Sequence, residues 1–308
     1  MAEQKKPFGF INVHKPTGIT SHDVINKLRR LLNIKQIGHG GTLDPLAEGV
    51  LPVAAGAACR LLRFLPQDKT YVAEILLGLQ TTTDDIEGDT IRSGDFSTIT
   101  NEQIETALKQ FHGEIDQVPP NYSAIHVDGK RAYDLARAGN TTLEIKPRRV
   151  SITSLEVLKI ELPIVKVRIS CSSGTYIRSI ARDLGETLGC GATLKTLLRE
   201  QAGLFRLETS LTLEAIADRR NSIDSVVTEP VSILSQTNYF NVLKVSSEIA
   251  KKFCMGQIIP IKQFDGVHLD PTKRVLIVHE GQLLALCNIS DDELLKPEVV
   301  IADGQHKN

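Results

Sequence analysis

The residues best placed to do chemistry lie in Gly38-His39-Gly40-Gly41-Thr42-Leu43-Asp44-Pro45-Leu46-Ala47-Glu48-Gly49-Val50-Leu51-Pro52-Val53. One acid, Asp44, stands between a glycine cluster and an apolar run, with a proline directly after it. Pro45 has no amide hydrogen and biases Asp44 toward an extended or turn conformation, while Gly38, Gly40 and Gly41 permit positive φ and close backbone approach. Such a stretch can hold a carboxylate at the rim of a core, facing a cleft. Asp-Pro is equally an ordinary turn signal, and spacing alone leaves both readings open. A second candidate is Arg178. Ile177, Ile180, Ala181 and Leu184 form the apolar stripe of a helix, and Arg178 lies off that stripe near its start, where it can turn into a cleft. A third is the stretch 117–149, in which Lys130, Arg131, Arg137, Lys146, Arg148 and Arg149 interleave with Tyr122 and Tyr133. That combination suits phosphate contact and base stacking; it also describes a solvated basic hairpin.

The elements around these residues follow from periodicity. Residues 8 to 13 read as a buried strand, the turn at 14–18 follows, and Ser21 can cap a helix through Leu32 with Val24, Leu28, Leu31 and Leu32 on one face. Val50 to Ala58 suits a buried strand and its exit, and Lys69 to Gly78 a strand with Tyr71 near its start, where a core role is the ordinary expectation. Thr81 to Asp89 is acidic and turn-rich, but its spacing departs from that of an EF-hand. Thr100 and Gln103 make a capping box for a helix through Phe111. Prolines punctuate 117–124, and Val127 to Gly139 reads as a short helix ended by the glycine. Ile164 to Cys171 alternates as a half-buried strand, and Gly174-Thr175 mark its corner into the Arg178 helix. Patterning weakens from Asn221 to Asn238, beyond which short strands separated by turn residues imply a small β-rich module.

Chain-wide properties narrow the setting. At 308 residues there is room for one large domain and a small one. The net charge of −1 hides a block pattern: residues 1–72 carry +5, 73–128 carry −9, 129–206 carry +7 and 207–308 carry −4. The two basic blocks contain every basic candidate named above, so a polyanion could meet a local positive surface. Five cysteines without a Cys-x-x-Cys pair argue against a disulfide framework or zinc site and fit a reducing cytoplasm. No signal-peptide apolar region and no 18-residue apolar run occurs, so no membrane role is expected. A His-Glu-x-x-His site and a phosphate-binding Gly-x-x-x-x-Gly-Lys loop are also lacking.

The Asp44 stretch fills every fixed position of Gly-His-x-Gly-x-Leu-Asp-Pro-x-Ala-x-Gly-x-Leu-Pro and thereby resembles the catalytic motif of the TruB family, the tRNA pseudouridine-55 synthases. Further segments resemble the family in order: the Lys-Pro-x-Gly segment at Lys15, the strand of Tyr71, the acidic loop, the Tyr176-Ile177-Arg178 corner and Leu194 to Arg199. The resemblance implies an α+β pseudouridine synthase fold, a mixed, mainly antiparallel sheet flanked by helices over residues 1–230. It also implies an RNA-binding thumb at about 119–149 and a PUA-like RNA-binding domain at 238–308. It assigns Asp44 as the catalytic carboxylate, Arg178 as its ion-pair partner, and Tyr71 as the ring that stacks on the extruded uracil and removes the C5 proton. Tyr176 and Leu197, the latter on a helix, would line the pocket. His39 would fill the space left by the flipped nucleotide, Asp85 would stand beside the site, and Lys15 would support the Asp44 loop or touch a phosphate. Lys130, Arg131, Tyr133, Arg137 and Arg148 would bind RNA.

Pseudouridine formation breaks the N1–C1′ bond, turns the uracil and joins C5 to C1′, a reaction that needs no cofactor and no metal. What it needs is one oriented carboxylate, a dry pocket and a way to expose the base. The expected substrate is the T-arm stem-loop of tRNA, for a monomer without an obligatory protein partner. Two other readings stay open: a guide-RNA-dependent synthase acting on ribosomal RNA, and a non-catalytic tRNA-folding chaperone.

Overall fold

The computed structural model describes residues 7–123, 125–127, 130–131, 145–220, 222–235 and 237–301. In chain order the first strands are β1 (Gly9–Lys15), β2 (Ile37–His39), β3 (Glu48–Ala55) and β4 (Lys69–Leu77), followed by the short pair β5 (Leu79–Thr81) and β6 (Thr90–Ser93). Then come β7 (Gly113–Gln117), β8 (His126–Val127), β9 (Lys130–Arg131), β10 (Arg148–Glu161), β11 (Ile164–Cys171), β12 (Ala192–Ala202) and β13 (Phe205–Arg206). A second group comprises β14 (Phe240–Lys244), β15 (Ile259–Pro260), β16 (Arg274–His279), β17 (Gln282–Ile289) and β18 (Leu294–Val300). The α-helices among the described residues are α1 (Ser21–Leu32), α2 (Asn101–Lys109), α3 (Ile177–Thr187), α4 (Leu213–Asp218), α5 (Pro230–Leu234) and α6 (Ser247–Cys254).

The large sheet runs β1-β3-β12-β4-β11-β10-β7, with β2 added to β3 and β13 to β12. Every pairing is antiparallel except that of β12 with β3, so the sheet is mixed and mainly antiparallel. That parallel contact is what brings Arg199 beside Gly49, inside the Asp44 stretch. Helices α2 and α3 cover one part of the sheet over a core of Tyr71, Ile75, Ile152, Val167, Ile180 and Leu184. Each large aliphatic side chain buried there contributes about 1.5–3 kcal/mol of transfer free energy. Helices α1 and α4 cover the other part, over Ile11, Val13, Leu28, Leu51 and Val53. The alternation of β11 appears as read, with Val165, Val167, Ile169 and Cys171 buried.

The second sheet, β14-β16-β17-β18-β15, packs α6 on one side. On the other it shares an apolar cluster with β3 and the 3₁₀ segment Gly56–Phe64, where Val50, Leu61 and Leu65 meet Leu276, Leu286 and Ile301. Arg274 of β16 also lies 4.8 Å over the Phe64 ring. The stretch of weak patterning is not slack: Thr228 bridges Phe10 of β1, and Leu234 joins the shared cluster.

Three sequence expectations are corrected. The cap of α1 is Thr20, whose capping box with Asp23 is complete; Ser21 is the first helical residue and is buried. Leu194 to Arg199 is not a helix but the middle of β12. The bulge at Leu194/Thr196 shifts the strand's alternation by one residue, so that Leu194 and Leu197, three apart, are both buried. Val127, Lys130 and Arg131, expected within a helix, lie in the strand pair β8 and β9; Tyr133, Arg137 and Gly139 lie outside the described residues.

Candidate active site

The loop 41–47 between β2 and β3 is held by its backbone. Arg199 donates to the carbonyls of Gly41, Thr42 and Val50 at 3.2, 3.2 and 2.7 Å. Ser21 Oγ accepts the Leu43 N–H and donates to the Leu43 carbonyl. Lys15 Nζ reaches the carbonyls of Pro45 and Ala47 at 3.3 and 2.7 Å, and the Gly18 N–H also donates to Pro45. Arg199 and Lys15 are both fully buried, so their charges are satisfied by carbonyl oxygens rather than by water. Of the glycines read as conformational devices only Gly41 has positive φ, +128°. Gly38 extends β2, and Gly40 is tight against Leu62. Gly49, at φ +103°, is the more constrained: a Cβ there would stand 2.4 Å from the Arg199 carbonyl oxygen.

Fixed in this way, the loop leaves the Asp44 side chain 37% exposed, and Arg178 Nε donates to its Oδ2 at 2.9 Å. Arg178 is itself 5% exposed and spends its other nitrogens on the carbonyls of Thr83, at 2.9 Å, and Tyr122, at 3.0 Å. Its Nε also stands 3.7 Å from Asp85 Oδ2. Asp85 is buried, accepting from Thr83 Oγ1 and from the Glu87 N–H. Asp44, Arg178 and Asp85, 134 residues apart at the extremes, therefore form one charged group. Arg178 can hold Asp44 at one geometry because it is immobilised by two backbone oxygens.

The aromatic candidates flank this group. Tyr71 lies in the core cluster with Leu43, Ala47 and Leu197, and opposite Arg199 in the ladder of β4 and β12. Burial pushes its phenol up, Arg199 pulls it back and Asp44 pushes it up again, so the neutral phenol is the favoured form. Tyr176 is the N-cap of α3 without a capping side chain of its own; Gln117 accepts its N–H and donates to its carbonyl. Its phenol is also pushed up by burial, and it too feels the Asp44 charge. Leu197 is 7% exposed, on a strand rather than the expected helix, yet within the same cluster as Tyr71.

His39 ends β2, half-buried, with its imidazole held below the usual value by burial and then by Arg199, which favours the neutral ring. Lys15 lies under the Asp44 loop with no exposed surface, its ammonium donating to the Pro45 and Ala47 carbonyls. Burial lowers its ammonium to about 8 against the pull of Asp44. Arg148 starts β10, exposed, and pairs with Gln117 of β7. Of the other RNA candidates, only the β9 backbone of Lys130 and Arg131 is described.

Four charged residues escaped the sequence reading. Arg199 and Lys69 flank Gly41, and Lys69 is held below its usual value by burial and by Arg199. Asp84 and Arg182 form a second ion pair, 3.0 Å long, next to the first. Among the described residues no three His, Cys, Asp or Glu side chains converge to hold a metal ion.

Comparison with known sequences places this site in context. The sequence model of the TruB family pseudouridylate synthase N-terminal domain matches residues 29–177, and that of the tRNA pseudouridylate synthase B C-terminal domain matches residues 178–231. A tRNA pseudouridine synthase B from Acaryochloris marina is 46% identical over 302 residues, covering 95% of this chain and 98% of the relative. One from Gloeobacter violaceus is 47% identical over 255 residues, covering 82% and 86%. Among solved structures, a Cbf5-Nop10-Gar1 complex contains a chain with TM-score 0.70 and 27% identity, covering 96% of this chain and 85% of that one.

Proposed function

We propose, from the premise that this chain belongs to the TruB family of pseudouridylate synthases, that it converts uridine 55 in the T loop of tRNA to pseudouridine. The observation that carries the reading is the half-open Asp44 carboxylate held at 2.9 Å by an almost fully buried Arg178. In this reading the uridine leaves its stack and enters beside Tyr71, Tyr176 and Leu197, while His39 fills the place it left. Asp44 acts on the nucleoside as the N1–C1′ bond breaks; the uracil turns, C5 bonds to C1′, and the C5 proton leaves to a base or water. Tyr71, kept neutral by burial, serves better as a stacking surface than as the base that takes the C5 proton. The basic residues Lys130, Arg131, Arg137 and Arg148 and the ring of Tyr133, with the PUA-like domain at 238–308, grip the T arm. The protein works as a cytoplasmic monomer and needs no guide RNA. Among the described residues no helix is long and apolar enough to cross a membrane.

The test uses an unmodified tRNA transcript carrying tritium at uridine C5. Wild type should release tritium from one T-loop position, and Asp44→Asn should release none while retaining affinity for the transcript. Appreciable turnover by Asp44→Asn would refute the assignment. Tight binding without release by wild type would favour a folding chaperone or a guide-dependent synthase.

A further inference from the structure

The mechanism above uses Arg178 but leaves its neighbour one helical turn on, Arg182, without a task. On α3 positions 178 and 182 share a face, and both guanidinium groups span the same two segments. Arg178 takes the Thr83 carbonyl from the acidic loop and the Tyr122 carbonyl from the insertion that follows β7. Arg182 takes the Asp84 carboxylate, at 3.0 Å, from that loop and the Val118 carbonyl, at 2.9 Å, from the root of that insertion. Ser179 Oγ donates to the same Val118 carbonyl at 2.8 Å. Asp84 is buried and adopts φ +60°, an uncommon backbone for a residue with a side chain. Its carbonyl is engaged by the Leu194 N–H of β12, so the conformation is fixed from both sides.

We propose that Arg182 is a positioning residue for the isomerisation: by tying Asp84 to the Val118 carbonyl it sets the two backbone segments on which Arg178 rests, and so the direction in which Arg178 presents Asp44. Losing Arg182 leaves the apolar stripe of α3 intact but frees Thr83 and Tyr122 to drift. A shift of about 1 Å at a reacting group can cost on the order of a hundredfold in rate. The inference rests on the pseudouridylation reading.

The experiment measures single-turnover tritium release with enzyme in excess, alongside transcript affinity by filter binding. For Arg182→Gln we expect release slowed by about tenfold to a hundredfold with affinity within about threefold of wild type, a loss in chemistry rather than binding. Arg182→Lys should recover part of the rate, since an ammonium can pair with Asp84 but lacks the planar fork that also reaches Val118. Asp183 also holds the Arg182 guanidinium, accepting from Nε at 2.8 Å, and Asp183→Asn should slow release less than Arg182→Gln because the amide oxygen can still accept. A wild-type rate in folded Arg182→Gln, or a loss confined to affinity, overturns the proposal. If Arg182→Gln fails to fold, Arg182→Lys decides: slower chemistry at unchanged affinity supports the role, and an unchanged rate removes it. Absence of release by wild type overturns the pseudouridylation reading and this inference with it, whereas normal release by Arg182→Gln beside active wild type overturns this inference alone.

Discussion

The two loops that meet at Arg178 are held in opposite ways. The Asp44 loop is fixed through neutral carbonyls gathered by the buried cations Arg199 and Lys15, and its carboxylate stays half-open. The acidic loop at 81–89 is fixed through its own carboxylates, Asp84 to Arg182 and Asp85 to Thr83 and the Glu87 amide, and both acids are buried. An acid that must meet substrate cannot also be the peg that holds its loop, so its support comes from the backbone. An acid whose task is to hold can be sealed from water and given an arginine. The same charge type thus serves two ends, and burial separates them.

The largest effect should come from removing the backbone support. Arg199→Leu leaves the Gly41, Thr42 and Val50 carbonyls without their donor inside the core, and each buried acceptor left unpaired costs about 1–3 kcal/mol. Urea denaturation should show that loss, and tritium release should fall to the level of Asp44→Asn even in the fraction that stays folded. Full activity in a folded Arg199→Leu protein would show that the Asp44 loop is self-supporting and would erase the contrast. A smaller effect is expected from Gly49→Ala, which introduces a methyl 2.4 Å from the Arg199 carbonyl oxygen at φ +103°. Strain of this kind costs about 1–3 kcal/mol, and the parallel contact of β3 with β12 should open rather than Arg199 leave its site. A midpoint in urea equal to that of wild type would mean that this contact yields more readily than its packing implies.

How much of this was legible in the sequence depends on how local each cause is. Asp44 stood out because glycine, proline and acid act on neighbouring residues, and Arg178 because a basic residue off an apolar helical stripe needs only one helix to interpret. The Thr100 capping box is legible for the same reason, whereas the mixed sheet follows only from the family resemblance, since its parallel contact joins distant segments. The resemblance puts Leu197 in the pocket on a helix; it lies instead on a strand, where one bulge brings Leu194 and Leu197 both into the core. Arg199 was passed over in that same segment: only the parallel pairing with Gly49, about 150 residues away, shows that it lies beneath the Asp44 loop. Asp84 and Arg182 are 98 residues apart and neither sits in a pattern that demands the other. Nor does the sequence show that Lys15 is fully buried beneath the Asp44 loop, since its bonds to the Pro45 and Ala47 carbonyls span 30 and 32 residues.

The finest distinction between the loops is the sign of their pH dependence. Burial lowers Lys15 from 10.5 to about 8, so between those values the unfolded chain holds a proton that the native protein has released. Its contribution to stability therefore rises with pH across that window and is lost as pH falls through about 8. Burial raises Asp84 from 3.8 to about 6, against the pull of Arg182 and Arg178 and with Asp183 beside it. There the native protein holds the extra proton, and the contribution present below 3.8 is lost as pH rises through about 6. Urea midpoints of wild type minus Lys15→Met should thus climb between about pH 8 and 10.5, whereas wild type minus Asp84→Asn should decline between about pH 4 and 6. The difference curves isolate each residue from the other groups that titrate in the same windows. Parallel slopes for the two variants would mean that burial does not separate the loops as argued; opposite slopes tie the support of Asp44 to a buried cation and that of its neighbour to a buried acid.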